Sequence, residues 1–212
     1  MIGLIPARRN SKRFPGKNRA TFKGLSLLEI AYNSAISSGV IDEVYISTDD
    51  PVLINDSIHL GIKAPFMRDQ ELAQDTTSSW EVVMDFINRT NYIGDLCLLQ
   101  LTSPMRTAND IKDLKNLYIS QDATPALTVQ VQLAINDFPQ NWCCGCTNLI
   151  SNKQHCPSSV RVAPNGAAYM IHSSSVSLNS FSTLTGSSAL LMPKERSLDI
   201  DFQYQLESAE KD

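Results

Sequence analysis

The sequence lacks the features that identify several common protein classes. None of its 212 residues belongs to an apolar run long enough to span a membrane, and Met1 leads directly into apolar residues without the basic segment and core of a signal peptide. We therefore expect a cytoplasmic protein with no membrane partner. The net charge of −4 argues against a nucleic-acid partner, because nucleic-acid-binding proteins usually carry a broad basic surface. Neither G-x-x-x-x-G-K-[ST] nor G-x-G-x-x-G occurs, which excludes a Walker loop and the dinucleotide fingerprint.

Cysteines are few and odd in number, so the five cannot all pair within one chain. Four of them, Cys143, Cys144, Cys146 and Cys156, crowd into one segment beside His155. The spacing permits a zinc site, but the second half lacks the usual gap between ligands. Reduced thiols in a loop-rich segment are the favoured interpretation.

A dense basic loop follows the first apolar run of this acidic chain. Residues 2–5 predict a buried strand, and five cations lie within the next twelve residues: Arg8, Arg9, Lys12, Arg13 and Lys17. Ser11, Asn10 and Asn18 lie among them, and Pro15-Gly16 marks a turn. Arginine and lysine neutralise phosphate charge, while hydroxyl, amide and backbone N–H groups bind phosphate oxygens. The loop therefore predicts a phosphate site, although a solvated basic loop is the plainer alternative.

Strand and helix patterns alternate over the first 130 residues. Predicted strands cover 2–5, 44–48, 63–67, 96–101 and 126–131, and predicted helices cover 25–36, 52–60, 79–87 and 108–119. This alternation predicts an α/β fold with a Rossmann-like, doubly wound, mostly parallel sheet. We expect one domain over 1–212, with the irregular stretch 132–160 as a small lobe. Ordered structure returns over 160–171, interrupted by a turn at Pro164-Asn165-Gly166. A short strand over 189–192 and a helix over 202–210 complete the prediction.

Ligands of doubly wound folds bind beyond the carboxyl ends of the strands, so the loops after 2–5, 44–48, 63–67 and 96–101 should share one rim. Gln100, Ser103 and Arg106 follow the most apolar strand, where simple turn chemistry also explains Ser103. The stretch 75–79 places hydroxyls at a helix start, which suits either an anion or a plain N-cap.

Two carboxylates, Asp199 and Asp201, are separated by one residue. In an extended backbone both point to the same side, and a hard divalent cation relieves their repulsion. Alternatively, Asp201 caps the following helix. Given the basic loop, we favour Mg²⁺ bound by Asp199 and Asp201.

Six motifs together resemble the acylneuraminate cytidylyltransferase family. They are I-P-A-R-R-N-S-K-R-F-P-G-K-N (5–18), V-Y-I-S-T-D-D (44–50), R-D-Q-E-L-A-Q-D-T-T-S-S (68–79), L-L-Q-L-T-S-P-M-R-T (98–107), A-P-N-G-A-A-Y-M (163–170) and S-L-D-I-D (197–201). They run in family order over nearly the whole chain. The resemblance implies a fold of the nucleotide-diphospho-sugar transferase type. It also implies CMP transfer from CTP to a nine-carbon 2-keto sugar acid, with Mg²⁺ as cofactor and a homodimer as the assembly.

The resemblance also implies roles for individual residues. It assigns the triphosphate to Arg8, Ser11, Lys12 and Lys17, with Asn18 near the nucleotide, and the cytidine side to Arg68, Ser78 and Ser79. It assigns the sugar acid to Gln100, Asn165 and Tyr169, with Ser103 and Arg106 beside them, and the metal to Asp199 and Asp201. Arg8, Lys12, Lys17 and Asp201 would be the catalytic residues.

The sequence departs from the family pattern at two places. Leu101 replaces the usual proline after the glutamine, and C-P-S-S-V-R-V precedes the A-P-N-G motif where the family has R-Q-x-L-P. In relatives this region supplies the dimer lobe and part of the sugar site. The stretch 63–68 resembles the pseudaminic acid branch, whereas 100–106 resembles the sialic and legionaminic branches. A 3-deoxy-octulosonate cytidylyltransferase and a non-catalytic nucleotide-binding relative are the alternatives.

Overall fold

The computed structural model describes residues 1–132, 148–149, 161–177 and 186–211. The cysteine-rich segment, and with it the zinc alternative and most of the predicted lobe at 132–160, lies outside these residues. Within them, no helix is both long and apolar enough to cross a membrane.

Nine strands are described. In chain order they are β1 Ile2–Pro6, β2 Thr21–Phe22, β3 Leu25–Ser26, β4 Glu43–Ser47, β5 Asp95–Leu99, β6 Ala126–Gln132, β7 Asn148–Leu149, β8 Arg161–His172 and β9 Ser188–Leu191. Strands β2 and β3 form a small hairpin, and the other seven form one sheet in the order β4-β1-β5-β8-β6-β9-β7. Four of the six pairings are parallel, and β8 runs antiparallel to both of its neighbours, β5 and β6. The predicted mostly parallel α/β sheet is confirmed.

Among the described residues, five α-helices connect or follow the strands: α1 Leu27–Ser37, α2 Pro51–Leu60, α3 Ser79–Thr90, α4 Ala108–Ser120 and α5 Gln203–Ala209. Their ends follow local chemistry. The side chain of Ser26 accepts the N–H of Glu29 at the start of α1, and Gly61 ends α2 in a left-handed conformation. Helix α1 begins two residues later than the sequence predicts, because Leu25 and Ser26 pair with β2.

The sheet is covered on both faces. Leu4 and Leu98 pack in one buried cluster with Val83 and Phe86 of α3, whereas Ile5 and Leu99 pack in another with residues of α1 and α4. Alternate residues of β1 and β5 thus face opposite layers, as the two-residue period of a strand requires. This explains the nearly continuous apolar sequence of β5.

Two local predictions are wrong. Residues 63–67 form isolated bridges, Tyr45 with Lys63 and Thr48 with Met67, rather than a strand. Pro65 lies between the two bridges and has no N–H to donate to a ladder, which explains the gap.

The turn predicted at 164–166 is a bulge within the continuous strand β8. Leu127 pairs with Tyr169 and Val129 with Pro164, so two steps along β6 match five along β8. Gly166 adopts φ +78°, and the Thr128 hydroxyl donates to Oδ1 of Asn165 at 2.6 Å inside the bulge. The Pro-Asn-Gly sequence bends the strand without ending it.

Candidate active site

The strand-end loops surround one cavity of about 340 Å³, on the side of the sheet where β1 and β5 end. Ten of the residues singled out from the sequence line it: Arg8, Ser11, Lys17, Asn18, Arg68, Ser78, Ser79, Gln100, Asp199 and Asp201. They come from five separate stretches of the chain. The sheet topology therefore brings together the polar residues that the sequence predicts to share a rim.

The basic loop is held in shape by its own residues. Nδ2 of the buried Asn18 donates to the carbonyl oxygen of Arg8 at 2.8 Å, which closes the loop on itself. Gly16 adopts φ +75° just before the 3-10 turn Lys17–Arg19. Glycine enters this conformation at no steric cost, so Pro15-Gly16 turns the chain back toward the cavity.

Asp75 forms ion pairs with two cations of the loop. Its Oδ1 lies 2.6 Å from Nη1 of Arg8, and its Oδ2 lies 2.5 Å from Nζ of Lys12. The pKa of the Asp75 carboxyl is lowered mainly by the hydrogen bond from Lys12, and the charges of Arg8 and Lys12 lower it further. Lys12 does not line the main cavity; it lines a second cavity of about 350 Å³ on the other side of Asp75.

Asp201 forms ion pairs with two further cations of the loop. Its Oδ2 lies 2.8 Å from Nη1 of Arg13, and its Oδ1 lies 3.3 Å from Nζ of Lys17. The same Nζ donates to the carbonyl oxygen of Ile200 at 2.9 Å. Asp201 does not cap α5: the side chain of Gln205 accepts the N–H groups of Asp201 and Phe202 instead. Its carboxylate is therefore directed at the cavity.

Asp199 and Asp201 flank Ile200, which is fully buried. Burial is the main cause of a raised pKa at the Asp199 carboxyl, and the charge of Asp201 raises it further. A hydrogen bond from the Thr102 side chain partly offsets this by lowering the pKa. Two carboxylates that repel each other and line a cavity beside cations fit a hard divalent cation that is also bound by phosphates. Within the part of the chain that the structure describes, no group of three or more His, Cys, Asp or Glu residues forms a fuller metal site.

Gly166 lies behind the cavity floor that Gln100 and Asp199 form. A Cβ atom at this position would lie 3.2 Å from Oε1 of Gln100 and 3.8 Å from Oδ2 of Asp199. The bulge of β8 therefore brings backbone without a side chain against Gln100 and Asp199. A larger residue at position 166 would press on Gln100.

Arg68 and the start of α3 form the opposite wall. The guanidinium of Arg68 is buried and donates to the carbonyl oxygen of Ser47, and burial lowers the pKa of this group to about 10. Ser78 is the N-cap of α3: its hydroxyl accepts from Glu81 N at 3.2 Å, and its N–H donates to the Glu81 carboxylate at 2.6 Å. Both interactions of a capping box are present, so Ser78 also fixes where α3 begins.

Four residues assigned to the sugar acid lie behind the cavity wall rather than on it: Ser103, Arg106, Asn165 and Tyr169. Arg106 is 3% exposed and donates to the carbonyl oxygens of Gln100 at 3.1 Å and Ala167 at 2.6 Å. Nδ2 of Asn165 donates to Ser197 Oγ at 3.0 Å. Nη1 of Arg106 and Nδ2 of Asn165 are thus engaged with protein atoms, so these two residues support the cavity floor in this structure.

Tyr169 packs edge-on against Trp80, with ring centroids 5.7 Å apart. Burial, with a contribution from the Asp199 charge, raises the pKa of its hydroxyl to about 12. Ser103 is also buried. Direct contact of these four residues with a substrate stays a prediction.

Arg13, Asp75 and Thr102 received no individual role from the sequence, although Arg13 is one of the five cations of the predicted phosphate loop; all three line the cavity. Arg13 belongs to the basic loop, and its place beside Lys12 and Lys17 was an available signal. Asp75 offers no local signal, because its partners Arg8 and Lys12 lie more than 60 positions earlier in the chain.

A family model described as cytidylyltransferase matches residues 2–138. Among named relatives, a pseudaminic acid cytidylyltransferase of Campylobacter jejuni is 36% identical over 57% of this chain and 53% of its own length. A CMP-N,N'-diacetyllegionaminic acid synthase of Legionella pneumophila is 31% identical over 53% of this chain and 50% of its own. An N-acylneuraminate cytidylyltransferase of Streptococcus agalactiae is 33% identical over 57% of this chain and 30% of its own. The matched part of the chain spans about half the length of these relatives or less.

Solved structures share the fold at low sequence identity. A CMP:2-keto-3-deoxy-manno-octonic acid synthetase complexed with CTP has a TM-score of 0.70 at 18% identity, over 99% of this chain and 96% of that one. A 4-diphosphocytidyl-2C-methyl-D-erythritol synthase from Anaerococcus prevotii has a TM-score of 0.59 at 11% identity, over 99% of this chain and 94% of that one. Both similarities extend over the whole sheet.

Proposed function

The chain belongs to the cytidylyltransferase family, and we propose that it transfers a CMP group from CTP to the anomeric hydroxyl of a nine-carbon 2-keto sugar acid, releasing pyrophosphate. The names of the relatives support this acceptor class, since they act on pseudaminic, legionaminic or neuraminic acids. The pseudaminic acid relative is the more similar of the three over the matched segment, so we place that acid first among the candidates.

One observation carries the proposal: cations and carboxylates line the same cavity, with Arg13 and Lys17 in direct contact with Asp201. Arg8, Arg13 and Lys17 come from the loop after β1, and Asp199 and Asp201 come from the segment before α5. A nucleoside triphosphate bound with a divalent cation presents both kinds of charge at once. Phosphate oxygens match the cations, and the metal matches the carboxylates.

The residues of the loop would act on the leaving group. The sugar hydroxyl oxygen forms a bond to the α-phosphorus, the bond from that phosphorus to the β-phosphate oxygen breaks with its electron pair leaving on pyrophosphate, and the hydroxyl proton passes to a base, either a cavity carboxylate or hydroxide. Negative charge then accumulates on the departing pyrophosphate, where Arg8, Lys12 and Lys17 would stabilise it. We propose Asp199 and Asp201 as the residues that hold Mg²⁺, which when bound supplies charge neutralisation at the reacting phosphate.

The remaining walls would bind the two organic parts of the substrates. We propose that Arg68, Ser78 and Ser79 face the cytidine, with Ser11 and Asn18 beside the phosphates. Gln100 would face the sugar acid. Arg106 and Asn165 would act on the acceptor indirectly, because they support Gln100 and the Gly166 bulge from behind.

The direct test measures pyrophosphate release with CTP and Mg²⁺ against pseudaminic, legionaminic, N-acetylneuraminic and 3-deoxy-octulosonic acids. Turnover with one nine-carbon acid, and none without an acceptor, is the expected result. Turnover with 3-deoxy-octulosonic acid alone would contradict the acceptor class. CTP binding without turnover on any acid would contradict catalysis and favour a nucleotide-binding relative.

We further propose a cytoplasmic homodimer, as the resemblance to the family implies, with CTP and the sugar acid as its small-molecule partners. Sedimentation velocity of the full chain tests the assembly. A monomer at micromolar concentration would contradict it.

A further inference from the structure

Asp75 occupies the position where an anion would contact the basic loop. Its two carboxylate oxygens face Arg8 at 2.6 Å and Lys12 at 2.5 Å, which are distances of charge-assisted hydrogen bonds. A phosphate group contacts arginine and lysine through oxygens in the same way. A polyphosphate that approaches Arg8 Nη1 and Lys12 Nζ from the direction of Asp75 would take the place of its carboxylate.

The second cavity offers space for the displaced carboxylate. Asp75 lines both the main cavity and this second cavity of about 350 Å³, where Arg9 and Asn10 lie beside the carboxylate of Asp49. The Asp75 side chain is about one-third exposed, and the Lys12 side chain is 84% exposed. Neither is locked by packing, so the two ion pairs can open without disturbing the core.

The charge of Asp75 should oppose the binding of a polyphosphate to Arg8 and Lys12. Asp75 carries a negative charge, and its pKa is lowered by the same two cations. With the carboxylate present, an incoming polyphosphate loses part of the attraction of Arg8 and Lys12 and is repelled by the nearby charge. When pyrophosphate leaves, the carboxylate can pair with both cations again.

We infer that Asp75 is an internal competitor of polyphosphate, which weakens the binding of pyrophosphate to the basic loop and so promotes its release. The inference rests on the proposed function for its place in a reaction, but the anion competition itself requires no acceptor and no turnover. Asp75 is in this sense a residue that sets how tightly the site holds its product.

The test compares Asp75→Asn with the wild type by titration calorimetry of inorganic pyrophosphate at low salt. Asparagine keeps the size of the side chain and one accepting oxygen, and it removes the charge and the second acceptor. We expect Asp75→Asn to bind pyrophosphate about tenfold more tightly, the effect of losing two exposed ion pairs. In turnover, the variant should show a lower KM for CTP, a lower kcat and stronger inhibition by added pyrophosphate.

Asp69→Asn is the matched control. Asp69 belongs to the same segment, and its substitution changes the net charge by the same amount. Its carboxylate, however, pairs with Arg89 at 3.4 Å rather than with the basic loop. It should bind pyrophosphate as the wild type does. An equal tightening in both variants would indicate a general charge effect and overturn the inference.

The opposite result is equally informative. If Asp75 serves to hold Arg8 and Lys12 in a binding-ready position, Asp75→Asn will bind pyrophosphate more weakly or unchanged, and the inference is wrong. Turnover of the wild type with a nine-carbon acid would leave the proposed function intact in that case. If the wild type itself binds no pyrophosphate, both the inference and the phosphate site fail.

Discussion

Lys17 and Asp201 join the beginning of the chain to its end. Nζ of Lys17 lies 3.3 Å from Oδ1 of Asp201 and donates to the carbonyl oxygen of Ile200, across 184 and 183 positions of sequence. Lys17 is largely buried by these contacts, whereas the Arg13 side chain, on the same carboxylate, is 60% exposed. The pair connects the proposed phosphate site directly to the proposed metal site.

Lys17→Ala should weaken the binding of CTP much more than the binding of the sugar acid. Loss of a charge-assisted contact with phosphate should raise the KM for CTP by about tenfold to a hundredfold. Lys23→Ala is the control, because Lys23 is an exposed lysine that lies over the Phe22 ring. Initial rates at varied CTP and fixed acceptor measure the effect, and an unchanged KM for CTP would remove Lys17 from the triphosphate site.

Asp201→Asn should lower turnover by about two orders of magnitude, because it removes one of the two carboxylates that would hold the metal. The fold should remain, since Asp201 takes no part in capping α5. Pyrophosphate release measured over a range of Mg²⁺ concentrations should show a higher metal requirement. Full activity at the wild-type requirement would contradict the metal assignment.

Gly166→Ala should disturb both the backbone and the acceptor side. Alanine at φ +78° costs about 1 kcal/mol, and its Cβ would press on Gln100 at 3.2 Å. Gly39→Ala separates the two effects, because Gly39 has φ +69° with open space around the added Cβ. Both variants should lose stability in urea, but Gly166→Ala alone should raise the KM for the sugar acid. An equal KM for the sugar acid in the two variants would contradict a role of Gly166 in shaping the acceptor site.

Arg106→Met should lower the free energy of unfolding by about 2 kcal/mol or more, because it leaves two carbonyl oxygens without their donor. Those oxygens belong to Gln100 and Ala167, so turnover should fall with stability. Arg89→Met is the comparison, since Arg89 stacks over the Phe66 ring at the surface, far from these carbonyls in sequence. Urea unfolding of both variants decides whether Arg106 supports the cavity floor.

Asp85→Asn should make the stability less dependent on pH. Burial raises the pKa of the Asp85 carboxyl, and its Oδ2 has no hydrogen-bond partner. Between the unfolded value of about 3.9 and the raised folded value, the folded chain holds more protons than the unfolded chain, so wild-type stability rises as pH falls. The variant should therefore be the more stable protein at neutral pH, with a difference that shrinks on acidification. Urea unfolding of the wild type and of Asp85→Asn at several pH values measures this difference in stability. Asp56→Asn, at an exposed position, is the control.

The elements that the sequence predicts well are those defined by local chemistry. The apolar run before Pro6, the glycine after α2 and the serine before α3 mark the ends of their elements within a residue or two. The convergence of the strand-end loops on one cavity also follows from the alternation of strands and helices.

What the sequence does not predict depends on partners distant in the chain. The Pro-Asn-Gly stretch has the composition of a turn, and its pairing with β6 across some 37 positions makes it a bulge instead. Arg106 follows a strand end and has the composition of a ligand-binding residue, but the bulge provides the carbonyl that holds it inward. Asp75 likewise pairs with Arg8, which lies far earlier in the sequence.

The tie between Lys17 and Asp201 has a consequence for synthesis on the ribosome. The cationic loop emerges about 180 residues before the carboxylate that neutralises two of its five cations. The intervening strands must assemble before the two ends can meet, and such long-range closure is slow. A nascent chain therefore carries Arg13 and Lys17 without their carboxylate for most of its translation.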